Sequence, residues 1–375
     1  MEIFRLIFAL IATLVLVGIN VYAYRRFLSK VDIFRKHTKV IKWLVIILSI
    51  CEFLFFYTLR SGDMDVTLYL VFSSFIGISF MLFCISLVYD LFHIPLNRVP
   101  FDKSRRLMLK TILDVTMLVL AFSYMLKGFF NGFKKPIIKN VKIEIKGLKK
   151  ELDIVQITDV HIGKSLGKEF LDEIVKDINT LDADIVVITG DLVDLHVSEI
   201  GDKLNSLKDI KSRYGIYFVS GNHEYFHGVE GICEHLKSLD VNVLTNENMN
   251  INNQINLAGI TDLMGRRRGL LEPDLKKALL NTDPNLPTVL LAHQPKITNE
   301  LKNENIDLIL SGHTHAGQIF PFGLLVLLDQ PYLSGLYQHS EKTQIFVSSG
   351  AGYWGPPIRV MAPSEIVKIR LYPSF

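Results

Sequence analysis

The sequence predicts an α/β domain preceded by a four-helix transmembrane region, and three observations predict it. Apolar residues make up 49% of the 375 residues, with a mean hydropathy of +0.29, and the excess sits before residue 130. Beyond that point, short runs of Ile, Val and Leu alternate with segments of helical period, as in sheets covered by helices. Several of those runs end in Asp, Asn or His, which gathers polar side chains at strand ends, where open α/β sheets place ligands.

The first observation implies two regions built for different solvents. Four apolar stretches, at about 3–24, 43–59, 66–89 and 107–126, are each close to the about 20 residues that cross about 30 Å of hydrocarbon as a helix. The first follows Glu2, lacks a strongly basic leader and is not followed by a small-residue cleavage site, so it reads as an anchor rather than a signal peptide. Glu52 and Asp114 fall inside spans and Lys110 near the start of the fourth. Ionisable groups at that depth are costly, so they are expected to pair between helices or sit near an interface. A transporter-like bundle with an accessory domain is the alternative.

Connector 25–42 carries Arg25, Arg26, Lys30, Arg35, Lys36, Lys39 and Lys42, and connector 93–110 carries Arg98, Lys103, Arg105, Arg106 and Lys110. Connector 60–65 has only Arg60. This bias predicts a multi-pass protein of the cell membrane with both basic connectors cytoplasmic and the C-terminal domain extracytoplasmic. Lys127, Lys134, Lys135 and Lys139, beyond the fourth span, pull the other way.

The expected organisation is therefore a membrane region at 1–130, a linker and first strand at 131–149, and a globular domain at 150–375. Gly132, Lys134, Lys135 and Pro136 mark the boundary. Strands are expected at 152–158, 184–189, 215–220, 255–260, 288–292, 306–310, 343–348 and 365–371. Helices are expected at 168–180, 199–210, 229–239, 272–281 and 297–304. In the first of these, Phe170, Leu171, Ile174, Val175 and Ile178 recur at helical spacing and form a core stripe.

A net charge of +3 is small for this length, and no basic segment is interleaved with aromatics, so no nucleic acid is expected. Cys51, Cys84 and Cys233 imply no disulfide framework. The sequence indicates no protein partner.

The chemistry lies after the strands. The run ending in Thr158 is followed by Asp159 and His161; that ending in Thr189 by Gly190 and Asp191. Ser220 leads into Gly221-Asn222-His223-Glu224, Ala292 into His293, and Ser311 into Gly312-His313-Thr314-His315. A lone loop histidine is ordinarily a hydrogen-bonding residue. Seven metal-capable residues, Asp159, His161, Asp191, Asn222, His293, His313 and His315, each after an apolar strand, are not independent accidents. They exceed the needs of one ion. Two divalent cations sharing a carboxylate suit such a set, with Mn, Fe or Zn preferred over Ca.

This order of blocks, D-x-H, G-D, G-N-H-[DE], H and G-H-x-H, resembles the calcineurin-like metallophosphoesterase superfamily. The resemblance covers about 150–370. It implies a four-layer α/β/β/α sandwich and a metal-dependent phosphoesterase acting on a phosphorylated small molecule or lipid through a metal-bridging hydroxide. Gly312–Gln318 (GHTHAGQ) and Gly350–Arg359 (GAGYWGPPIR) also resemble a bacterial membrane-associated branch similar to UDP-2,3-diacylglucosamine hydrolases and exported phosphoesterases. Carried across by motif, Asp159, His161, Asp191 and His315 would hold one metal, and Asp191 would bridge to a second completed by Asn222, His293 and His313. His223 would assist the leaving oxygen as the catalytic residue. A catalytically weak metal-binding scaffold is the rival reading.

Other residues have weaker claims. Arg266, Arg267 and Arg268 form either a grip for phosphate or lipid headgroup or a solvated loop. Arg359 is a candidate phosphate contact, Tyr353 and Trp354 either stack on a base, meet the bilayer or simply pack the loop, and Glu224 either orients His223 or is solvated. His196, His227, His235 and His339 are taken as ordinary, and membrane lipids are the remaining expected partners.

Overall fold

A computed structural model describes residues 2–58 and 64–374, so Arg60 and the end of the second expected span lie outside the described residues. The chain divides into two units, Met1–Phe133 with Gly355–Val360, and Lys134–Trp354 with Met361–Phe375.

In the first unit, α1 (Glu2–Ala23), α2 (Thr38–Thr58), α3 (Val66–Arg98) and α4 (Lys103–Gly132) are long and apolar helices. Among the described residues, four helical segments have the length and composition to cross a membrane. Three of these helices extend past the apolar stretches read from sequence: α2 begins at Thr38, α3 runs on to Arg98 and α4 spans Lys103–Gly132. The Asp65 carboxylate accepts from Thr67 N–H at the start of α3, and Asp102 does the same for Arg105 N–H at the start of α4.

Buried charge in this unit is paired between elements. Glu52 accepts from the Asn20 amide at 2.9 Å and from the Ser79 hydroxyl. Asp114 accepts from Tyr89 Oη at 2.8 Å, Lys110 Nζ at 2.7 Å and the Asp32 N–H at 2.9 Å. Asp90 takes Tyr22 Oη at 2.7 Å and Arg26 Nε at 2.6 Å. These contacts are the helix-to-helix pairing that groups at membrane depth require.

Segment Gly355–Val360 packs with these helices, which the sequence did not signal. The Arg359 N–H donates to the Gly128 carbonyl at 2.9 Å. Gly132 has no alternative there: a Cβ would lie 2.1 Å from the Pro357 carbonyl oxygen. Arg359 is consequently only 1% exposed.

The second unit holds two six-stranded sheets. The first contains β1 (Ile137–Lys146), β2 (Leu152–Ile157), β3 (Ile185–Thr189), β4 (Ile216–Val219) and β5 (Val241–Val243). The second contains β6 (Glu247–Ile251), β7 (Ile255–Gly259), β8 (Thr288–Leu291), β9 (Leu308–Ser311), β10 (Gly335–Gln338) and β11 (Gln344–Val347). The last strand, β12 (Glu365–Ser374), returns to the first sheet, giving the orders β1-β12-β2-β3-β4-β5 and β10-β11-β9-β8-β7-β6.

Alternation along the strands builds the layers. Ile185 and Val187 of β3 face Leu257, Leu291, Leu308 and Leu310 of the other sheet in one buried cluster. Their neighbours Val186 and Ile188 face the opposite way, onto Leu171 and Ile174 of α5 (Lys168–Ile178) and Ile232 and Leu236 of the helix Val229–Ser238. On the far side, Ala258, Leu290 and Ile309 are covered by Ala278 and Ile297. Helices, sheet, sheet and short helices make the four layers that the resemblance implied.

Three expected helices are much shorter or tighter. The 199–210 segment is one turn, Val197–Ile200, followed at Gly201 by the 3-10 segment Gly201–Asp209. The 272–281 segment keeps only Leu275–Ala278, capped by the Asp274 carboxylate and ended before Asn281 at φ 62°. The third is the 3-10 turn Pro295–Glu300. Strand β6, reading Glu-Asn-Met-Asn-Ile, was missed because its side chains are polar. Its pairing with β7 is set by a turn in which Asn252 and Asn253 both have positive φ.

Candidate metal centre

Strands β2, β3 and β4 of one sheet and β8 and β9 of the other run out into loops that converge. The loop after β2 is laced to the loop after β3: Asp159 N–H donates to Gly190 O at 3.0 Å, and His161 N–H to Asp191 O at 3.1 Å. The loops after β8 and β9 are laced by Gly312 N–H to His293 O at 2.9 Å, and the two sheets are joined where His313 N–H reaches the Asp159 carboxylate at 3.0 Å. Gly312 must lack a side chain, because a Cβ would stand 2.1 Å from Thr158 Oγ1 and 2.3 Å from Asp159 Oδ2. Asp159, His161, Asp191, His313 and His315 all have φ between 49° and 72°. Such left-handed backbone in non-glycine residues is costly and concentrates at functional sites.

Three groups of donors result among the described residues, two of them gathering ligands expected from sequence and the third joining His161 and His223 to Asp194. Asp159, His161 and His315 each offer one atom within 4.8 Å of the others, and so do Asp191, His293 and His313. Within the first, His161 Nε2 lies 3.0 Å from His315 Nε2, which lies 3.3 Å from Asp159 Oδ1. Within the second, His293 Nε2 is 3.2 Å from Asp191 Oδ2. Asn222 sits at the first turn of the helix Asn222–His227 and buries an Oδ1 that has no hydrogen-bond partner.

The tautomers show what these groups are suited to hold. His293 Nδ1 lies 2.8 Å from the Thr189 carbonyl, which only accepts, so the ring proton is on Nδ1. In the neutral ring Nε2 is then a lone pair, and it forms no hydrogen bond although Asp191 Oδ2 stands close by. His161 repeats the arrangement, with Nδ1 2.7 Å from Asp194 Oδ1 and its Nε2 turned to His315. At His293, a lone pair facing a carboxylate oxygen is repelled unless a proton or a cation stands between them. Imidazoles whose outer nitrogens are held by a carboxylate or carbonyl are the usual arrangement of metal-ligating histidines.

Electrostatics agree. Burial drives the Asp191 carboxyl upward, but His293 and His223 outweigh it and hold it well below the usual carboxylate range. Burial likewise opposes a charge on His293, yet Asp191 and Asp159 raise it well above normal. A shared proton and a cation therefore compete for the same place. His313, half-buried beside His293, is pushed down to about 3 by desolvation and then by that neighbour, which keeps its lone pair available. Asp159 is raised by burial, so it too gains from a neighbouring positive charge.

His223 stands at the edge of these groups. Its Nδ1 is 2.6 Å from Asp194 Oδ1 and its Nε2 is 3.9 Å from Asp191 Oδ2. Burial pulls the ring down, but Asp191 and Asp194 push it up to about 9. Phe226 and Trp354 meet it edge to face, with ring centroids 5.5 and 6.1 Å away.

All eight residues expected at the site are thus brought to the strand ends where the two sheets meet. Two neighbours take roles that only the structure shows. Asp194 Oδ1 takes both His161 and His223, and its place three residues after Asp191 is the sequence signal for it. Glu224 is neither solvated nor a partner of His223. It is fully buried and accepts the N–H groups of Gly221, Asp191, Leu192 and Val193 at 2.6–3.2 Å, pinning the loops after β3 and β4. Arg266 is engaged in a two-pronged pair with Glu300, and Arg268 lies 5.5 Å over the Phe226 ring. His196, His235 and His339 are satisfied locally by Ser198, Gly201 O and Tyr332.

A two-sheet sandwich with paired carboxylate–imidazole groups at one edge defines a metal-dependent hydrolase. Residues 152–317 match the family described as calcineurin-like phosphoesterase. An uncharacterized metallophosphoesterase of Helicobacter pylori is 42% identical over 362 residues, covering 96% of this chain and 97% of that one. An uncharacterized metallophosphoesterase of Campylobacter jejuni is 38% identical over 368 residues, 98% of each chain. A transmembrane protein with metallophosphoesterase domain from Bos taurus is 38% identical over 290 residues, 72% of this chain and 64% of that one. The chain belongs to the calcineurin-like metallophosphoesterase family: it is a membrane protein and a hydrolase of phosphate esters.

Proposed function

We propose that this enzyme hydrolyses a phosphate ester or pyrophosphate, presented by a lipid-linked substrate, at a centre of two divalent cations of Mn, Fe or Zn. Asp159, His161, Asp191 and His315 would hold one; Asp191, shared, with Asn222, His293 and His313 would hold the other. When bound, such a pair supplies Lewis acidity to phosphoryl oxygens and a water made nucleophilic near neutral pH. The observation that carries the reading is the convergence of donors in both groups: His293 Nε2, without a hydrogen-bond partner, 3.2 Å from Asp191 Oδ2, and His161 Nε2 3.0 Å from His315 Nε2.

The chain's own residues do the rest. Asp194 keeps the His161 proton on Nδ1 and so turns Nε2 inward. It holds His223 by Nδ1 in the same way, and because Asp191 and Asp194 raise that ring to about 9, His223 carries a second proton near neutral pH, so that its Nε2–H would donate to the departing oxygen. Glu224 fixes the two loops on which Asp191, Asn222 and His223 stand. Full-length protein in detergent should hydrolyse bis-p-nitrophenyl phosphate when Mn²⁺ is supplied and lose that activity to a chelator. Turnover indifferent to both would end the proposal.

The basic connectors support an extracytoplasmic catalytic unit. Two of the opposing lysines are engaged inside the globular unit, Lys135 with Glu173 at 2.7 Å and Lys139 with Glu365 at 3.0 Å. Reporter fusions at the C-terminus should be active only outside the cytoplasm; cytoplasmic activity would reverse the topology.

A further inference from the structure

The run from Ile319 to Leu328, Ile-Phe-Pro-Phe-Gly-Leu-Leu-Val-Leu-Leu, contains no charged or hydrogen-bonding side chain. It lies in the globular unit, where such a run ought to be core, yet Phe320, Phe322, Leu324, Leu325, Leu327 and Leu328 are all exposed, Leu328 to 83%. The other exposed apolar residues of that unit, such as Met249 and Leu280, stand singly in the sequence or, at Ile137-Ile138, as a pair. The loop is nevertheless ordered. Its backbone closes on itself through Phe322 N–H to Ile319 O, Val326 N–H to Phe322 O and Leu327 N–H to Gly323 O.

Both of its feet stand at the metal centre. It leaves the chain at Gln318, three residues after His315, and the Gln318 side chain clamps the Trp354 backbone with two 3.0 Å hydrogen bonds. Trp354 is the residue whose ring meets His223. The loop returns at Gln330, which donates to Gln294, the neighbour of His293, and accepts the Lys296 N–H at 3.0 Å. A displaced loop would thus be felt at three of the histidines.

We propose that this loop inserts into the acyl region of a bilayer, so that the site beside it meets phosphate esters of lipid headgroups. Three observations select lipid over protein. The loop offers no polar groups for the hydrogen bonds that a protein interface interleaves with its apolar contacts. A half-exposed Trp stands at its border, as at membrane interfaces. The same chain carries four helices of membrane-spanning length, so a bilayer is always within its reach. The insertion stands apart from the enzymatic reading, whereas the choice of lipid esters rests on it.

The test uses the full chain in phosphatidylcholine–phosphatidylglycerol nanodiscs, with Trp43→Phe and Trp354→Phe removing native fluorescence. Leu328→Trp and, as a second probe, Leu324→Trp report contact; Leu280→Trp is the control. Acyl chains brominated near their middle should quench both loop probes at least twofold and leave the control unchanged. Equal emission with and without bromine would overturn insertion, and so would a loop shielded by a second copy of the chain in cross-linking. Separately, Leu324→Ser with Leu328→Ser should keep bis-p-nitrophenyl phosphate hydrolysis within twofold but lower kcat/KM at least tenfold for hexadecyl p-nitrophenyl phosphate in vesicles. Equal losses on the two would overturn the lipid-ester assignment. A wild type that cleaves neither would defeat the phosphoesterase reading while the quenching result stands on its own.

Discussion

Replacing Asp194 with Asn isolates one charge at the centre of the site. A single atom, Asp194 Oδ1, accepts from His161 Nδ1 at 2.7 Å and from His223 Nδ1 at 2.6 Å. An amide oxygen can take the same place, so the shape survives and the charge is lost. Hydrogen bonds to a charged group contribute about 1.5–3 kcal/mol and neutral ones about 0.5–1.5, a difference of about 1–1.5 for each bond. The two together come to about 2–3 kcal/mol, or roughly 30- to 150-fold in kcat/KM. The assay is hydrolysis of bis-p-nitrophenyl phosphate by the full chain across a Mn²⁺ titration. Loss through His161 should raise the metal concentration required, and loss through His223 should remain as a lower kcat at saturating metal. Asp172→Asn, which breaks a surface pair with Lys168, serves as control. An Asp194→Asn enzyme within threefold of the wild type at every metal concentration would refute the assignment of both imidazoles to this carboxylate.

Glu224→Gln turns an amide N–H toward backbone N–H donors that now share a carboxylate oxygen, which costs about 2–4 kcal/mol. The melting transition of the globular unit should fall by roughly 5–12 °C in a thermal scan, and an unshifted transition would contradict the four-bond geometry. Gly312→Ala places a methyl against Thr158 and Asp159 and should lower activity at least tenfold, even though the residue binds nothing. Asp153 takes Arg370 in two 2.8 Å bonds and Lys368 at 3.0 Å, and the Arg370 bond, foremost, holds its carboxyl below the usual range. Its stabilisation is therefore present above the unfolded carboxylate pKa of about 3.9 and is lost as pH falls through the lower folded value. With Arg370 nearly half exposed, Asp153→Asn should cost about 1 kcal/mol near neutral pH, with the gap to wild type closing only under strong acid.

Much of the globular unit was legible because burial wrote itself into the chain. Runs such as Ile185–Thr189 and Leu308–Ser311 are apolar on both faces, and each hands over directly to Asp191 or His313. Positions where tertiary contacts override local pattern were not legible. Strand β6 is polar at an edge, and Gly201, Pro273 and Asn281 cut short helices whose apolar spacing suggested more. Asp194 and Glu224 act through partners more than 25 residues away in sequence, so their roles emerge only once the loops are folded together. The placement of Gly355–Val360 among the helices is of the same kind, since nothing in Pro356-Pro357-Ile358 announces the grooves left by Gly128 and Gly132. The apolar loop at 319–328 failed in the opposite sense: its composition suggests core, and the fold leaves it outside.

The central claim is that distant side chains converge on a pair of cations, and elemental analysis of the intact protein tests it most directly. Full-length enzyme loaded with Mn²⁺ and freed of excess should retain two ions per chain. Asp191→Ala should retain at most one and lose hydrolysis of bis-p-nitrophenyl phosphate. A wild-type protein that binds no ion, or an Asp191→Ala variant that keeps both ions and full activity, would contradict the account.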